Sequence, residues 1–600
     1  MRKTTLFLTA AALAAASTPA LAAEAADAAA LDEVVVTATR LPSDPDLVTG
    51  ARVIGRAELE ARQTPFATDV LSTLPGVAVA RTGAYGGVGA IRIRGAGPDK
   101  TLVLIDGVPA GDPADPGGAF DPASLQTMDL ERIELLSGPQ SSLWGSEAIG
   151  GVVALTTREL DGWRLDLEGG QRDTARGFLG VGRASDSGAL SATITGFRTD
   201  GISKAAGGAE ADGFETVTAN LSGRLSLSAT ASLEAKLRYT DSEVEIDGFP
   251  APAFELADTE DRNTSRAWSG LIRGRFEALG FSQAVSLSAY DLDRKNISDF
   301  PSRFSADRQV LRWTAERDGL VLGAERQETE ANLSGRVEQD LSVTSAFGVV
   351  RREVDVLTVT ASLRYDDPDQ FKGRATGRVS AAARLPAGFT LTGSAGTGFK
   401  IPTISQFACD FCFAPPLALK PEKAEGYDLR LGWRGERVRA AFTAYRLDVK
   451  DQITYQGLRY INIARTRSEG LEAEADADMT DNLTLRLAYA RTDAVDRSTD
   501  ASLIRVPDHM GAATFTWTGK RLTGALTVRA ESSQTDTARD GFTRVTRKGF
   551  VTADLAAAFA LNDRVSLTGR VENLTDEGYS ESFGYAEPGR TVFLGVRLRN

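Results

Sequence analysis

The chain has 600 residues, a formal net charge of −13 at neutral pH, two cysteines and one histidine. An acidic excess of this size excludes general nucleic-acid binding, which depends on neutralising phosphates with Lys and Arg. The single imidazole, His509, excludes a multi-histidine metal site and leaves a nucleophilic triad one base at most; with no nucleophile-elbow motif beside it, the chain does not read as an enzyme.

In chain order, Arg2 and Lys3 precede an apolar run from Leu6 to Ala16, then Pro19 and the small-residue pattern Ala20-Leu21-Ala22. This reads as a secretory signal peptide over residues 1–22, because a membrane-spanning helix needs roughly 18 or more apolar residues and this run is shorter. Residues 23–50 begin with the Ala-rich stretch Ala23 to Ala30 and then the β-prone segment Asp32-Glu33-Val34-Val35-Val36-Thr37-Ala38. Residues 51–158 read as a compact α+β domain. A helix is expected from Ala67 to Leu74, ending at Pro75-Gly76, with short strands at Val77–Ala80, Ile91–Arg94, Thr101–Asp106 and Glu131–Leu136. The run Gly95-Ala96-Gly97 with Lys100 fails the spacing of a phosphate-binding loop.

From residue 159 to 600 the pattern changes to repeated strands of alternating polarity. Trp163, Leu165 and Leu167 alternate with Arg164, Asp166 and Glu168; Leu483, Leu485, Leu487 and Tyr489 alternate with Thr484, Arg486 and Ala488. In a soluble sandwich the apolar faces meet in a core, whereas in a membrane barrel they face lipid and the polar faces line the lumen. At about 20 residues per strand and connection, this region accommodates about 22 strands, the size of a large plugged barrel. The last strand keeps the alternation, with Val592, Leu594, Val596 and Leu598 on one face. The pair in Cys409-Asp410-Phe411-Cys412 has redox-motif spacing, but behind an export signal it reads as a local disulfide that staples a loop.

An ordered set of motifs resembles the TonB-dependent outer-membrane receptors. Beyond residues 32–38 it comprises Leu74-Pro75-Gly76-Val77, Ile91-Arg92-Ile93-Arg94-Gly95, Val103-Leu104-Ile105-Asp106-Gly107 and Ala148-Ile149-Gly150-Gly151-Val152-Val153. In the barrel it adds Glu469-Gly470-Leu471-Glu472-Ala473-Glu474 and Val571-Glu572-Asn573-Leu574. The resemblance implies an all-β transmembrane barrel of about 22 antiparallel strands in the outer-membrane lipid, closed by an N-terminal plug inside the lumen, acting as a monomer. It also implies a metal-chelate cargo and energy from the inner-membrane protein TonB, which would grip residues 32–38 by strand addition. Members usually end in an aromatic residue, whereas this chain ends in Asn600.

Strand parity puts Arg92 and Arg94 on one face and Glu472 and Glu474 on the lumen side, so these are expected to pair across the plug–barrel interface. Thr82, Tyr85, Gly87 and Asp112 lie on plug loops expected to meet ligand, where small residues permit close backbone approach. Within the family, the compact length is similar to that of the cobalamin transporters. In that subgroup acidic loops bind calcium, which takes about 6 to 8 oxygens, and Glu210, Asp212, Asp241 and Asp247 are the corresponding candidates. A ferric siderophore is the second expectation for cargo. Haem is less attractive, because one histidine gives no pair to hold its iron.

Overall fold

The computed structural model describes residue 40 and residues 43–600, apart from 335–336, 410–411, 413–417 and 457. The expected signal peptide and the segment Asp32 to Ala38 lie outside the described residues.

Twenty-two antiparallel strands, from Gly162–Gly170 to Thr591–Arg599, close into a barrel, with the two-residue strand Ala501–Ser502 added beside Leu483–Asp496. Closure occurs between the first and last strands, with Val596 opposite Leu167 and Leu598 opposite Leu165. Pairing every strand on both sides leaves no backbone donor or acceptor facing lipid, the condition a sheet must meet to cross a bilayer. The alternation read from the sequence is the alternation of burial: on the last strand Leu594 is 70 % exposed, while its neighbour Phe593 is 1 % exposed and turns into the lumen. No described helix is long and apolar enough to span a membrane.

The connections sort by length. One rim has tight turns such as 186–187, 229–230, 279–280 and 318–319; the other has the long connections 203–211, 401–421, 497–508, 532–549 and 573–590. Short turns face the periplasm and long loops the exterior in this class of barrel, which orients the molecule.

The plug fills the lumen. Its sheet has the order Ala51–Ile54, Leu130–Ser137, Gly151–Thr157, Thr101–Ile105 and Val108–Ala110, with one parallel pair, Thr101–Ile105 beside Gly151–Thr157. A separate hairpin, Val77–Arg81 with Gly89–Ile93, carries the loop 82–88 toward the exterior. The plug core of Ile54, Leu71, Ile93, Val103, Ile133 and Val153 continues into barrel-wall residues Leu271, Tyr290 and Leu292.

The expected helix starts at Ala67 but ends at Leu71. Ser72 Oγ and Thr73 Oγ1 donate to the carbonyls of Asp69 and Val70, so side chains take over the acceptors that a further turn would need. A second helix, Arg56–Arg62, and the strand Gly151–Thr157 were not expected. The helix is one short amphipathic stretch with Leu59 and Ala61 inward, too brief for its period to stand out; Gly151–Thr157 is buried nearly throughout and shows no alternation.

Candidate functional site

The plug is held to the wall by buried ion pairs, with Arg94 at their centre. Arg94 follows the strand Gly89–Ile93 in a left-handed conformation, φ 53°, and is 2 % exposed. Its Nε and Nη2 each donate to Glu472 at 2.7 Å, Nη1 donates to Asp428, and the guanidinium lies 4.4 Å from the Tyr445 ring centroid. Burial alone would lower its pKa, but Glu472 and Asp428 hold it above the ordinary arginine value. Gly76 makes the approach feasible: with φ at +72°, a Cβ there would run into Glu472 Oε1.

The second expected pair is different. Glu474 binds Arg52 of the plug and lies 3.5 Å from Arg430, while Arg92 meets neither glutamate. The reason is local geometry. Arg92 remains within the strand, opposite Ala78, whereas Arg94 lies past its end with positive φ, so the two side chains do not share a face. Further ties had no signal in the plug sequence that named their partner: Asp99 with Lys400 at 2.9 Å, Lys100 with Glu422 at 3.0 Å, Asp106 with Lys236 at 3.1 Å and Glu147 with Arg308 at 3.0 Å.

The outward plug loops are largely covered. The Tyr85 hydroxyl donates to Glu572, its ring packs against Phe66 and Phe197 at 5.7 and 5.1 Å, and Lys204 Nζ donates to its carbonyl at 3.3 Å. Gly87 is buried within its own turn and Thr82 is half-buried. Both oxygens of Asp112 are engaged: Oδ1 accepts from the amides of Ala114 and Asp115 at 2.9 and 3.1 Å, and Oδ2 pairs with Arg294 at 2.8 Å. Asp112 therefore shapes its loop. That loop borders a cavity of about 180 Å³ between plug and wall, with Val88, Phe120, Asp121, Tyr290 and Arg294 among its lining.

At the outer mouth the carboxylates regroup relative to expectation. Oxygens of Glu210, Asp247 and Asp258 lie within 4.8 Å of one another. Ser203 Oγ stands 3.0 Å from Asp258 Oδ1 and 3.2 Å from Asp247 Oδ2. Asp212 and Asp241 are not in the group. Asp212 borders Asp247 and accepts from the Lys204 amide at 2.6 Å, and Asp241 pairs with Arg266 at 3.1 Å on the outward face of its strand. A register shift between Ile246 and Gly248 swings Asp247 away from the parity it would otherwise share with Asp241. Asp258 is the second residue of the neighbouring strand, Ala257–Ala278, and only tertiary pairing brings it here. Cys409 and Cys412 are joined, in the connection that also carries the helix Ile404–Ala408; Thr403, which caps that helix, donates to the plug carbonyl of Pro116 at 3.1 Å.

A barrel closed around a plug bound by charge pairs has matches among known proteins. Residues 160–574 match the family described as TonB dependent receptor-like, beta-barrel, and residues 46–152 match the TonB-dependent Receptor Plug Domain. The chain belongs to the TonB-dependent receptor family. It is an outer-membrane receptor and transporter, of a family that is not one of enzymes. Similar solved structures include the siderophore receptor PirA from Acinetobacter baumannii (TM-score 0.80, 19 % identity, 92 % of this chain and 98 % of that one). Others are the ferripyoverdine receptor of Pseudomonas aeruginosa (0.77, 14 %, 94 % and 88 %) and the copper transporter OprC (0.75, 18 %, 92 % and 100 %). At these identities the likeness is one of fold.

In this receptor a long outer connection also reaches down to the plug. Arg81 donates through its amide and Nε to Glu581 at 3.1 Å, pairs with Asp69 at 2.7 Å and lies 3.5 Å from Glu587. Three carboxylates thus surround one guanidinium. Burial pushes Glu587 up to about 8, against the pull of Arg81 and with the repulsion of Glu581 and Asp69 adding to it.

Two outcomes follow from these contacts. Glu472→Ala should leave the buried Arg94 charge matched by Asp428 alone and cost the plug up to about 3–5 kcal/mol, read as a lowered urea midpoint for plug unfolding while the barrel transition stays in place. For Glu587, a folded-state pKa above the unfolded carboxylate value of about 4.3 means that the folded form holds the extra proton between the two. Plug stability should therefore fall as pH rises toward about 8 and level off beyond it, and Glu587→Gln should flatten that slope in melting curves taken from acid to mildly alkaline pH.

Proposed function

We propose that the receptor takes up a scarce, bulky metal chelate, with cobalamin as the first reading. The observation that supports cobalamin is the carboxylate group of Glu210, Asp247 and Asp258 on the outer loops. Three hard oxygen donors suit calcium, and an ordered cation there would fix the loops 203–211 and 249–256 over the mouth. Such a rim also disfavours a strongly anionic chelate and tolerates a near-neutral corrinoid. Haem has less support, since His509 is exposed and its Nδ1 is engaged with the Tyr489 hydroxyl at 2.8 Å. A ferric siderophore is the second reading, favoured by the siderophore receptors among the structures of like fold.

Residues 32–38 are the proposed handle for TonB, gripped by main-chain hydrogen bonds that tolerate pull along the strand. A pull on this segment reaches the plug core through the strand Ala51–Ile54, whose Arg52 is tied to Glu474.

Equilibrium binding of cobalamin and of a ferric-siderophore panel to the purified full-length protein, with and without calcium, tests the cargo. Cobalamin should bind, more tightly with calcium, and Asp258→Asn should abolish the calcium effect. Siderophore binding in the absence of any cobalamin binding would overturn the first reading. Val35→Pro removes a ladder donor from the handle and should leave ligand binding intact while abolishing energised uptake by cells; an unchanged uptake rate counts against the handle.

A further inference from the structure

The sheet of the plug spans the lumen from wall to wall. Its order runs from Ala51–Ile54 at one edge to Val108–Ala110 at the other. Val108–Ala110 lies against the sixth and seventh barrel strands, Ala257–Ala278 and Phe281–Ile297, where Val108 and Ala110 share a core with Leu271, Tyr290 and Leu292. Ala51–Ile54 meets the wall at the sixteenth strand, Arg459–Thr480, through Arg52 and Glu474. The helix Arg56–Arg62 meets the seventeenth, Leu483–Asp496, through Glu58 and Arg486. In a closed ring of twenty-two strands the seventeenth stands eleven from the sixth, half the circumference away.

The two edges are held by different forces. Apolar contact between plug and wall runs from the third strand to the tenth: Phe66 packs on Phe197 and Phe214, the plug core on Leu271 and Tyr290, and Leu143 on Phe347. It returns where Ile149 meets Leu447 and Val449. Across the arc from Arg459–Thr480 to Phe550–Ala560, apolar contact among the described residues narrows to Ala78 against Ala490 and Met510. The remainder of that arc is charge and space. Arg94 with Glu472, Arg52 with Glu474 and Glu58 with Arg486 tie it. A cavity of about 450 Å³ lies between the plug residues Arg52, Glu58 and Leu74 and the wall residues Glu474, Arg486 and Thr514. A second, of about 80 Å³, lies between Asp69 and Thr527 beneath the outer connection that supplies Glu587. Thr73 borders both cavities, so one plug residue separates the outer space from the periplasmic one. Parting paired charges into water returns hydration to each, whereas parting the seam exposes hydrocarbon in proportion to its area. The edge held by charge is also the one nearest the N-terminus, a strand of four residues paired on one side with Leu130–Ser137.

We propose that the cargo leaves along this arc and no other part of the wall. The plug turns about its apolar seam at Leu271, Tyr290 and Leu292, Ala51–Ile54 and the helix Arg56–Arg62 draw away from the opposite wall, and the two cavities join past Thr73 into one passage. The wall there carries Thr484, Ala488, Thr514, Thr516 and Thr527, small side chains that leave width and offer hydroxyl groups. Such a lining suits a cargo with a polar, hydrogen-bonding surface that travels with part of its water.

The passage rests on the receptor being an energised transporter and on no particular cargo, so its test separates the two. The chain's two cysteines are bonded to each other, and an introduced cysteine is therefore the one free thiol. Thr514→Cys and Thr527→Cys report the arc; Ser286→Cys and Ser288→Cys, which share a strand face with Tyr290 and Leu292, report the seam. All four positions are buried, so each thiol reacts only when its surroundings open. In the purified full-length protein, in urea below the plug midpoint, a maleimide should label the arc pair roughly tenfold or more faster than the seam pair. Glu472→Ala should accelerate the arc pair and leave the seam pair unchanged. In energised cells given cobalamin or a ferric-siderophore panel, labelling of the arc pair should accelerate relative to uncoupler-treated cells, and Val35→Pro should cancel the acceleration. Acceleration with a siderophore and none with cobalamin upholds the passage and overturns the cobalamin reading. Where neither chelate enters, the cargo reading falls and the rates in purified protein still decide the passage. Seam thiols that react first, four thiols that react at one rate, or arc thiols that stay protected in cells taking up a chelate overturn it.

Discussion

The structure depends on burying charge in pairs. A barrel of this width has a lumen face that must remain polar for the outer face to be apolar, because the two alternate along every strand. A plug that fills such a lumen cannot be held by an oily interface throughout; it has to match charge with charge. Arg94 between Glu472 and Asp428, with Gly76 admitting the glutamate and Tyr445 lying against the guanidinium, is a fully enclosed match of this kind. The same rule makes the interface separable: pairs that lose one another to water regain hydration, so a plug held by charge can be shifted without exposing a large apolar surface.

That constraint orders the rest of the molecule from the inside outward. The plug core joins the wall apolarly at Leu271, Tyr290 and Leu292, while ion pairs act around other parts of the circumference. The outer connections complete the enclosure. Glu581 and Glu587 reach Arg81, Lys204 covers the loop that carries Tyr85, and Thr403 touches Pro116. The covered position of Tyr85 and the full engagement of Asp112 mean that access to the plug apex requires the outer loops to move. A ligand that displaces them changes contacts shared with the plug, which is a physical means for occupancy outside to be felt near the periplasm.

Within this arrangement Arg92 is informative because it breaks the pairing rule. It lies two residues before Arg94, which is bound by two carboxylates, yet its own buried Nε has no partner among the described residues. An arrangement that leaves one cation unmatched where its neighbours are matched is the kind of local inconsistency that marks function more often than defect.

The sequence alone determined what depends on period and order. The alternation at Trp163–Glu168 and Val592–Leu598 set which side chains meet lipid, since a strand has one degree of freedom, its parity, and closure leaves no edge to alter it. Glu472 was legible as a lumen residue for the same reason. Partners were not legible, because parity says that a side chain points inward and not how far around the circumference it lies. The Arg94 pairing with Glu472 was anticipated, but Asp428 was not, and Arg52 took the place expected for Arg92 at Glu474. Local departures from regular geometry decided the remainder: the positive φ of Arg94 separated it from Arg92, and the register shift after Ile246 brought Asp247 to Glu210 and Asp258 while Asp241 stayed on the outer face. Such departures arise from contacts between distant segments, and only the tertiary structure contains them.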